Sequence, residues 1–241
     1  MLDYLQFVGP EFGSLPIVDE SPIPRLLHMI WVGDAPQPVT FHMYAEIWRT
    51  LMPDWTIRIW RNADINDGEF PIEAVSLINT APKGAQKADI MRYFILEKYG
   101  GIYVDGDVEP LRSLEPVLSL QKEVVLCHDL PITWPYISIG FIAAAPGHPL
   151  LKLASNKCYS ANIQSSAIHF ETGPRLFGSA IWESPSATPY AVLPPDTFYY
   201  NDTSVLAKEN VDVPPGYSID HTNPYHLGIH HYAKSWWSTR S

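Results

Sequence analysis

Proline makes up 23 of the 241 residues, close to twice the ~5% usual in globular chains, yet none occurs between Pro82 and Pro110. Proline removes a backbone donor and breaks helices and central strands. A chain this rich in it must keep its longest regular structure where proline is missing. Inside that window Ala88, Met91 and Ile95 recur at i, i+3 and i+7, with Phe94 and Tyr99 beside them. The spacing predicts a helix over 84–99. Gly100-Gly101 then supplies a glycine cap. Ile102-Tyr103-Val104 reads as a short buried strand, and Asp105-Gly106-Asp107 follows where it ends.

The flanks complete the pattern. Residues 1–22, with Gly9-Pro10, Gly13, Pro16 and Pro22, read as an irregular N-terminal arm, and 23–241 as one domain. Arg25 to Val32 is a near-continuous apolar run that stops at Gly33-Asp34, the mark of a buried first strand. A helix is expected over 40–51. After a Pro53-Asp54 turn, Trp55 to Trp60 alternates as a second strand. Strand, helix, strand, helix, strand in this order predicts an α/β layered fold. In such folds ligands sit beyond the carboxyl ends of strands, where Asp105 and Asp107 lie. Past Pro110 the expected elements are strands at 123–127 and 137–144, a helix at 148–160 and a loop-like stretch over 184–225. A last strand is expected at 225–232.

The net charge is 16 − 26 = −10. No basic stripe is present, which argues against a nucleic-acid partner and against docking on anionic lipid. A nucleotide ligand stays open, because a bound cation neutralises a diphosphate locally. Cys127 and Cys158 do not have zinc-site spacing and read as buried thiols in a reducing, cytoplasmic setting. No run approaches the ~20 apolar residues of a membrane span. Met1-Leu2-Asp3-Tyr4 does not open a signal peptide, so the sequon at Asn201 is expected to be idle.

Two carboxylates at i and i+2 on extended backbone point to one side. Asp105 and Asp107 repel each other there unless a cation lies between them. Gly106, with no side chain, lets a bulky ligand such as a diphosphate approach. The bland alternative is an Asp-Gly turn. Asp89 and Arg92 share one face of the preceding helix. Arg92 offers a donor fork to phosphate and Asp89 accepts from sugar hydroxyls; the alternative is a surface salt bridge. His230-His231 precede Ser235-Trp236-Trp237 near the end of the chain. A histidine joining the two aspartates tilts the site toward Mn²⁺, with Mg²⁺ as the other choice; the alternative is an ordinary surface strand end. Trp31 stacks on a base or merely packs. His28 reads as a buried, hydrogen-bonded strand residue.

The block from Ala88 through Asp89, Arg92, Tyr99-Gly100-Gly101 and Tyr103 to Asp105-Gly106-Asp107-Val108 resembles the DXD signature of sugar transferases, and within them glycosyltransferase family thirty-two. That family includes fungal mannosyltransferases and capsular polysaccharide enzymes; the glucosyltransferase domains of large clostridial toxins resemble it more distantly. The likeness extends to Ile23–Trp31, Pro53-Asp54-Trp55, Gly140-Phe141-Ile142, Pro146-Gly147-His148-Pro149, Thr172-Gly173-Pro174 and His230-His231 with Ser235-Trp236. It implies a GT-A type fold, a Rossmann-like and mostly parallel sheet flanked by helices. It also implies a nucleotide-sugar donor (UDP- or GDP-linked), a glycan or other hydroxyl acceptor, and retention of configuration.

By the same resemblance, Trp31 lies against the base and Tyr103 flanks the nucleotide. Asp89 and Arg92 contact the donor sugar and phosphates. Asp105 touches the ribose and the metal and Asp107 ligates the metal directly, with His231 favoured over His230 to complete the shell. Ser235 and Trp236 close over the diphosphate.

Two other readings compete. A phosphohydrolase of the haloacid dehalogenase type also places Asp-x-Asp after an apolar strand. It needs a downstream acidic pair, and no Asp-Asp or comparable cluster follows Asp129. A non-catalytic sugar-nucleotide or glycan-binding module is the third reading, and the full set of Asp105, Asp107, Arg92 and a terminal histidine speaks against it.

Overall fold

The computed structural model describes residues 5–128, 137–184, 189–199 and 223–232. Nine strands are assigned among them: β1 (Leu5–Phe7), β2 (Leu26–Ile30), β3 (Thr56–Trp60), β4 (Gly101–Val104), β5 (Val108–Pro110), β6 (Val124–His128), β7 (Ile137–Ala144), β8 (Tyr190–Leu193) and β9 (Gly228–His230). The helices are α1 (Val39–Leu51), α2 (Ile72–Thr80), α3 (Gly84–Tyr99), α4 (Glu115–Ser119), α5 (Pro149–Cys158), α6 (Ile168–Glu171) and α7 (Pro174–Glu183).

Seven strands form one sheet in the order β1-β8-β6-β7-β4-β2-β3. Every pairing is parallel except the two made by β7, against β4 and β6. Strand side chains alternate between two cores. Tyr103 faces the core built with α2, α3, α5 and α7, while Ile102 and Val104 face the core built with α1 and α4. This is the mostly parallel, helix-flanked α/β sheet expected from the sequence.

Helix α3 occupies the proline-free window and ends where expected. Gly100 (φ +61°) and Gly101 (φ +91°) both adopt the left-handed region, and the Gly100 N–H donates to Leu96 O at 2.9 Å. A side chain at Gly101 would also collide with Leu26 O, 2.4 Å from its Cβ position. The glycine pair therefore turns the chain from α3 straight into β4 with no intervening loop. His28 behaves as expected for a buried strand residue. Its Nε2–H donates to Gly100 O at 2.9 Å, and its Nδ1 accepts from Trp60 Nε1 at 3.1 Å.

Three expectations change. The N-terminal arm is not wholly irregular, because Leu5–Phe7 adds β1 in parallel register to β8. The proline-rich stretch after residue 184 contains β8, a fully buried strand between β1 and β6; Pro189 and Pro194 delimit it rather than abolish it. The last strand is only three residues long and pairs with β5 in a separate two-stranded ladder. Among the described residues no helix is long and apolar enough to cross a membrane.

Candidate active site

At the carboxyl end of β4 the chain turns through Asp105-Gly106-Asp107, with the Val108 N–H donating to Asp105 O at 3.1 Å. Asp105 is held from three directions. Its N–H donates to Gly140 O at 2.9 Å. Its Oδ1 accepts from the Tyr103 hydroxyl at 2.6 Å and from Arg92 Nη1 at 3.2 Å. Burial disfavours the Asp105 carboxylate, but the Arg92 charge, His230 and the Tyr103 hydroxyl outweigh it and hold its pKa below the usual carboxylate range. Burial pushes the Tyr103 phenol well up, so it remains a donor.

β5 and β9 deliver the third group. Their register sets His230 opposite Val108, and the His230 ring comes to rest against both aspartates. His230 Nε2 lies 3.3 Å from Asp105 Oδ2 and 3.4 Å from Asp107 Oδ1. One ligand atom from each of Asp105, Asp107 and His230 falls within 4.8 Å of the others. Two carboxylate oxygens and one imidazole nitrogen form a donor set suited to a divalent first-row ion. His231, the histidine favoured from sequence, is not the one brought to the aspartates. It points the other way and pairs with Glu109 Oε2 at 2.7 Å, as strand alternation requires once His230 faces inward.

Arg92 and Asp89 are buried rather than on a solvated face. Arg92 Nη2 donates to Asp89 Oδ1 at 2.8 Å, Nη1 donates to Ile139 O at 2.6 Å as well as to Asp105, and Nε reaches Ala88 O at 3.3 Å. The guanidinium also lies over the Tyr103 ring, 4.3 Å from its centre. Asp89 gives its second oxygen to the Thr172 hydroxyl at 3.0 Å. Burial pushes the Asp89 carboxyl up to about 6, with Arg92 and Thr172 pulling the other way. The fork expected to grip phosphate is thus largely committed to protein oxygens.

These groups line one cavity of about 480 Å³, within the size range of small-ligand sites. Trp31, half-buried at the end of β2, forms one wall and is anchored by its Nε1–H to Ala35 O at 3.0 Å. The N-terminal turn of α3 forms another, with Gly84, Ala85 and Ala88 facing the space. The backbones cross closely there: a Cβ on Gly84 would fall 2.4 Å from Val32 O.

Two glycines shape the floor. A Cβ on Gly106 would lie 2.4 Å from the Phe41 ring of α1. Packing against Phe41 requires this glycine, whereas the sequence reading tied it to ligand approach. A Cβ on Gly140 would meet Asp105 Oδ2 at 2.8 Å and the Tyr199 hydroxyl at 2.9 Å. The Tyr199 hydroxyl in turn accepts from Ser138 Oγ at 2.6 Å.

Sequence reasoning gave Phe41, Ser138 and Tyr199 no role, and it noted Gly140 and Thr172 only as parts of a family match. Gly140 carried a signal, being a glycine inside an otherwise bulky apolar strand. Tyr199 carried none, and the bond from Thr172 to Asp89 was not readable, since both depend on long-range contacts. Ser235, Trp236 and Trp237 lie outside the described residues.

Residues 38–124, which contain α1, α3, β4 and the Asp-Gly-Asp turn, match the family described as "Glycosyltransferase sugar-binding region containing DXD motif". Over these residues the chain is similar to the DXD-containing glycosyltransferases. The chain is 30% identical over 170 residues to inositol phosphoceramide mannosyltransferase 3 of Schizosaccharomyces pombe, covering 67% of this chain and 45% of that protein. It is 31% identical over 188 residues to a mannosyl phosphorylinositol ceramide synthase of Saccharomyces cerevisiae, covering 73% of this chain and 47% of that protein. It therefore spans about half the length of these relatives. Among solved structures it shares its fold with the PaToxG glycosyltransferase, at a TM-score of 0.59, 16% identity and 90% coverage of each chain. The fold is the GT-A type expected from the sequence.

Proposed function

We propose that this chain is a glycosyltransferase that moves a hexose from a UDP- or GDP-sugar to a hydroxyl acceptor, using a divalent cation held by Asp105, Asp107 and His230. The convergence of these three side chains inside a cavity walled by Trp31 and α3 carries the reading. Mn²⁺ suits a shell of two carboxylates and one imidazole better than Ca²⁺ or Mg²⁺ does. A bound cation supplies Lewis-acid neutralisation of the charge that grows on the departing diphosphate. The names of both yeast relatives carry mannose, so a mannosyl donor is the first to test.

The chain's own groups divide the remaining work. Trp31 offers an aromatic face for the base. The first-turn amides of α3 point their partial positive charge at the phosphates. Asp89, fixed by Arg92 and Thr172, presents a carboxylate edge for sugar hydroxyls. Arg92 acts chiefly as the counter-ion that keeps Asp105 and Asp89 ionised and in place. His230 Nδ1 accepts from the Tyr232 amide at 3.2 Å; holding a cation through Nε2 would require the ring proton on Nδ1 and would give up that contact. No side chain of the described cavity wall is placed as a free covalent nucleophile. The family resemblance implies retention, and without such a nucleophile among the described residues we propose front-face attack as its course. We place the chain in a reducing, cytoplasmic compartment, in keeping with the burial of both Cys127 and Cys158.

The test is a thermal-shift panel of UDP- and GDP-sugars with Mn²⁺ and with chelator. A true donor stabilises by RT ln(1 + [L]/Kd), so one nucleotide should stand out, and only with metal present. Equal stabilisation in chelator, or none from any nucleotide-sugar, would overturn the proposal.

A further inference from the structure

His231, displaced from the role first expected for it, has a different environment from His230. Its ring stacks on Tyr44 of α1, with centres 6.0 Å apart and planes 12° from parallel. Its Nε2 meets Glu109 Oε2 of β5 at 2.7 Å. Its N–H donates to Asp107 O at 3.2 Å. Three separate elements thus meet at one side chain: the helix that packs under Gly106 through Phe41, the strand that leaves the Asp-Gly-Asp turn, and the arm that carries His230.

Backbone bonds from the Leu227 N–H to Thr197 O at 3.0 Å and from the His230 N–H to Phe198 O at 2.8 Å tie the arm down, and His231 adds a side-chain fastening. β5 and β9 are three residues each, with His230 the last residue of β9. A lone two-stranded ribbon is marginal in water and depends on packing for its place. An exposed His–Glu pair contributes little by itself, but an aromatic stack on the buried Tyr44 adds contact area and a fixed orientation. Because neighbouring strand residues face opposite sides, fixing the outward ring of His231 also fixes the inward ring of His230. We infer that His231 is a positioning residue: its stack on Tyr44 and its contacts to β5 hold the C-terminal arm so that His230 stays beside Asp105 and Asp107. The inference builds on the proposed metal site but concerns the arm, so the two are tested separately.

The experiment uses the full chain and its His231→Ala and His231→Phe variants. Mn²⁺ affinity and hydrogen–deuterium exchange over 227–232 are measured for each. His231→Ala should weaken Mn²⁺ binding ~tenfold, as loss of supporting groups does at metal sites, and should speed exchange in the arm. His231→Phe keeps the stack but has no ligating atom, and should restore most of both. Wild-type affinity and exchange in His231→Ala would overturn the inference. A loss in His231→Phe as large as in His231→Ala would also overturn it, since the stack would then not be what fastens the arm. If the wild type takes up no Mn²⁺, the metal reading falls, and exchange alone decides the role of His231.

Discussion

The carbonyl of Gly140 accepts the Asp105 N–H at 2.9 Å, and a Cβ on Gly140 would sit 2.8 Å from Asp105 Oδ2. The carboxylate thus occupies space that only a glycine leaves open. Gly140→Ala must push aside both that carboxylate and the Tyr199 hydroxyl, 2.9 Å from the same Cβ position. Overpacking of this kind costs about 1–3 kcal/mol. Mn²⁺ binding by the variant should weaken ~tenfold or more, as for other supporting groups at metal sites. Calorimetric titration measures this, and unchanged affinity would refute the positioning role of Gly140.

Gly106 separates two explanations of the Asp-Gly-Asp turn. If glycine is required because Phe41 presses on it, Gly106→Ala should impair metal binding, and Phe41→Leu should recover part of it in the double variant. If a ligand must approach Gly106 itself, the double variant should remain as defective as Gly106→Ala. A double-mutant cycle in Mn²⁺ affinity reads the coupling directly.

Arg92 is the buried cation that answers two carboxylates. Arg92→Met leaves Asp89 and Asp105 without it and strands Ile139 O, a loss of about 3–5 kcal/mol by analogy with broken buried ion pairs. Arg92→Lys keeps the charge but not the fork, and should recover only part. Urea unfolding at neutral pH measures both, and a loss under ~1 kcal/mol for Arg92→Met would contradict the arrangement.

His28 gives the fold a pH dependence of defined sign. Burial lowers its pKa to about 4, partly offset by its bond to Gly100 O, while Arg58 adds to the lowering. With Nε2–H donating to Gly100 and Nδ1 accepting from Trp60, a second ring proton would face the indole N–H donor. The unfolded chain protonates His28 near 6.5 and the native chain only near 4. Stability is therefore fully present above 6.5 and falls as pH drops from 6.5 to about 4, by about 3 kcal/mol if no other group intervened. Unfolding free energies of the wild type and His28→Gln across that window should differ in slope, the variant being flatter and less stable at pH 7. Parallel curves would remove His28 as the source.

The parts legible in the sequence were those set by local chemistry. α3 and its glycine pair were readable because proline is absent, apolar residues recur at helical spacing, and two glycines sit where the chain must turn. Asp105 and Asp107 were readable because extended backbone sends i and i+2 to one side. β1 and β8 were not, since three and four residues carry too little periodicity to outweigh flanking prolines. The choice between His230 and His231 depends on the register of β9 against β5, over a hundred residues away, and a one-residue slip exchanges the two rings. Arg92 was recognised but not its commitments, because Ile139 reaches it, and Thr172 reaches its partner Asp89, only once the chain has folded.

The central claim is that Asp105, Asp107 and His230 together hold one divalent cation. Electron paramagnetic resonance of free Mn²⁺, titrated against the wild type, Asp107→Asn and His230→Ala, tests it most directly. The account predicts one site per chain in the wild type and at least ~tenfold weaker binding in each variant, both still melting cooperatively. Binding by Asp107→Asn and His230→Ala that matches the wild type would contradict it.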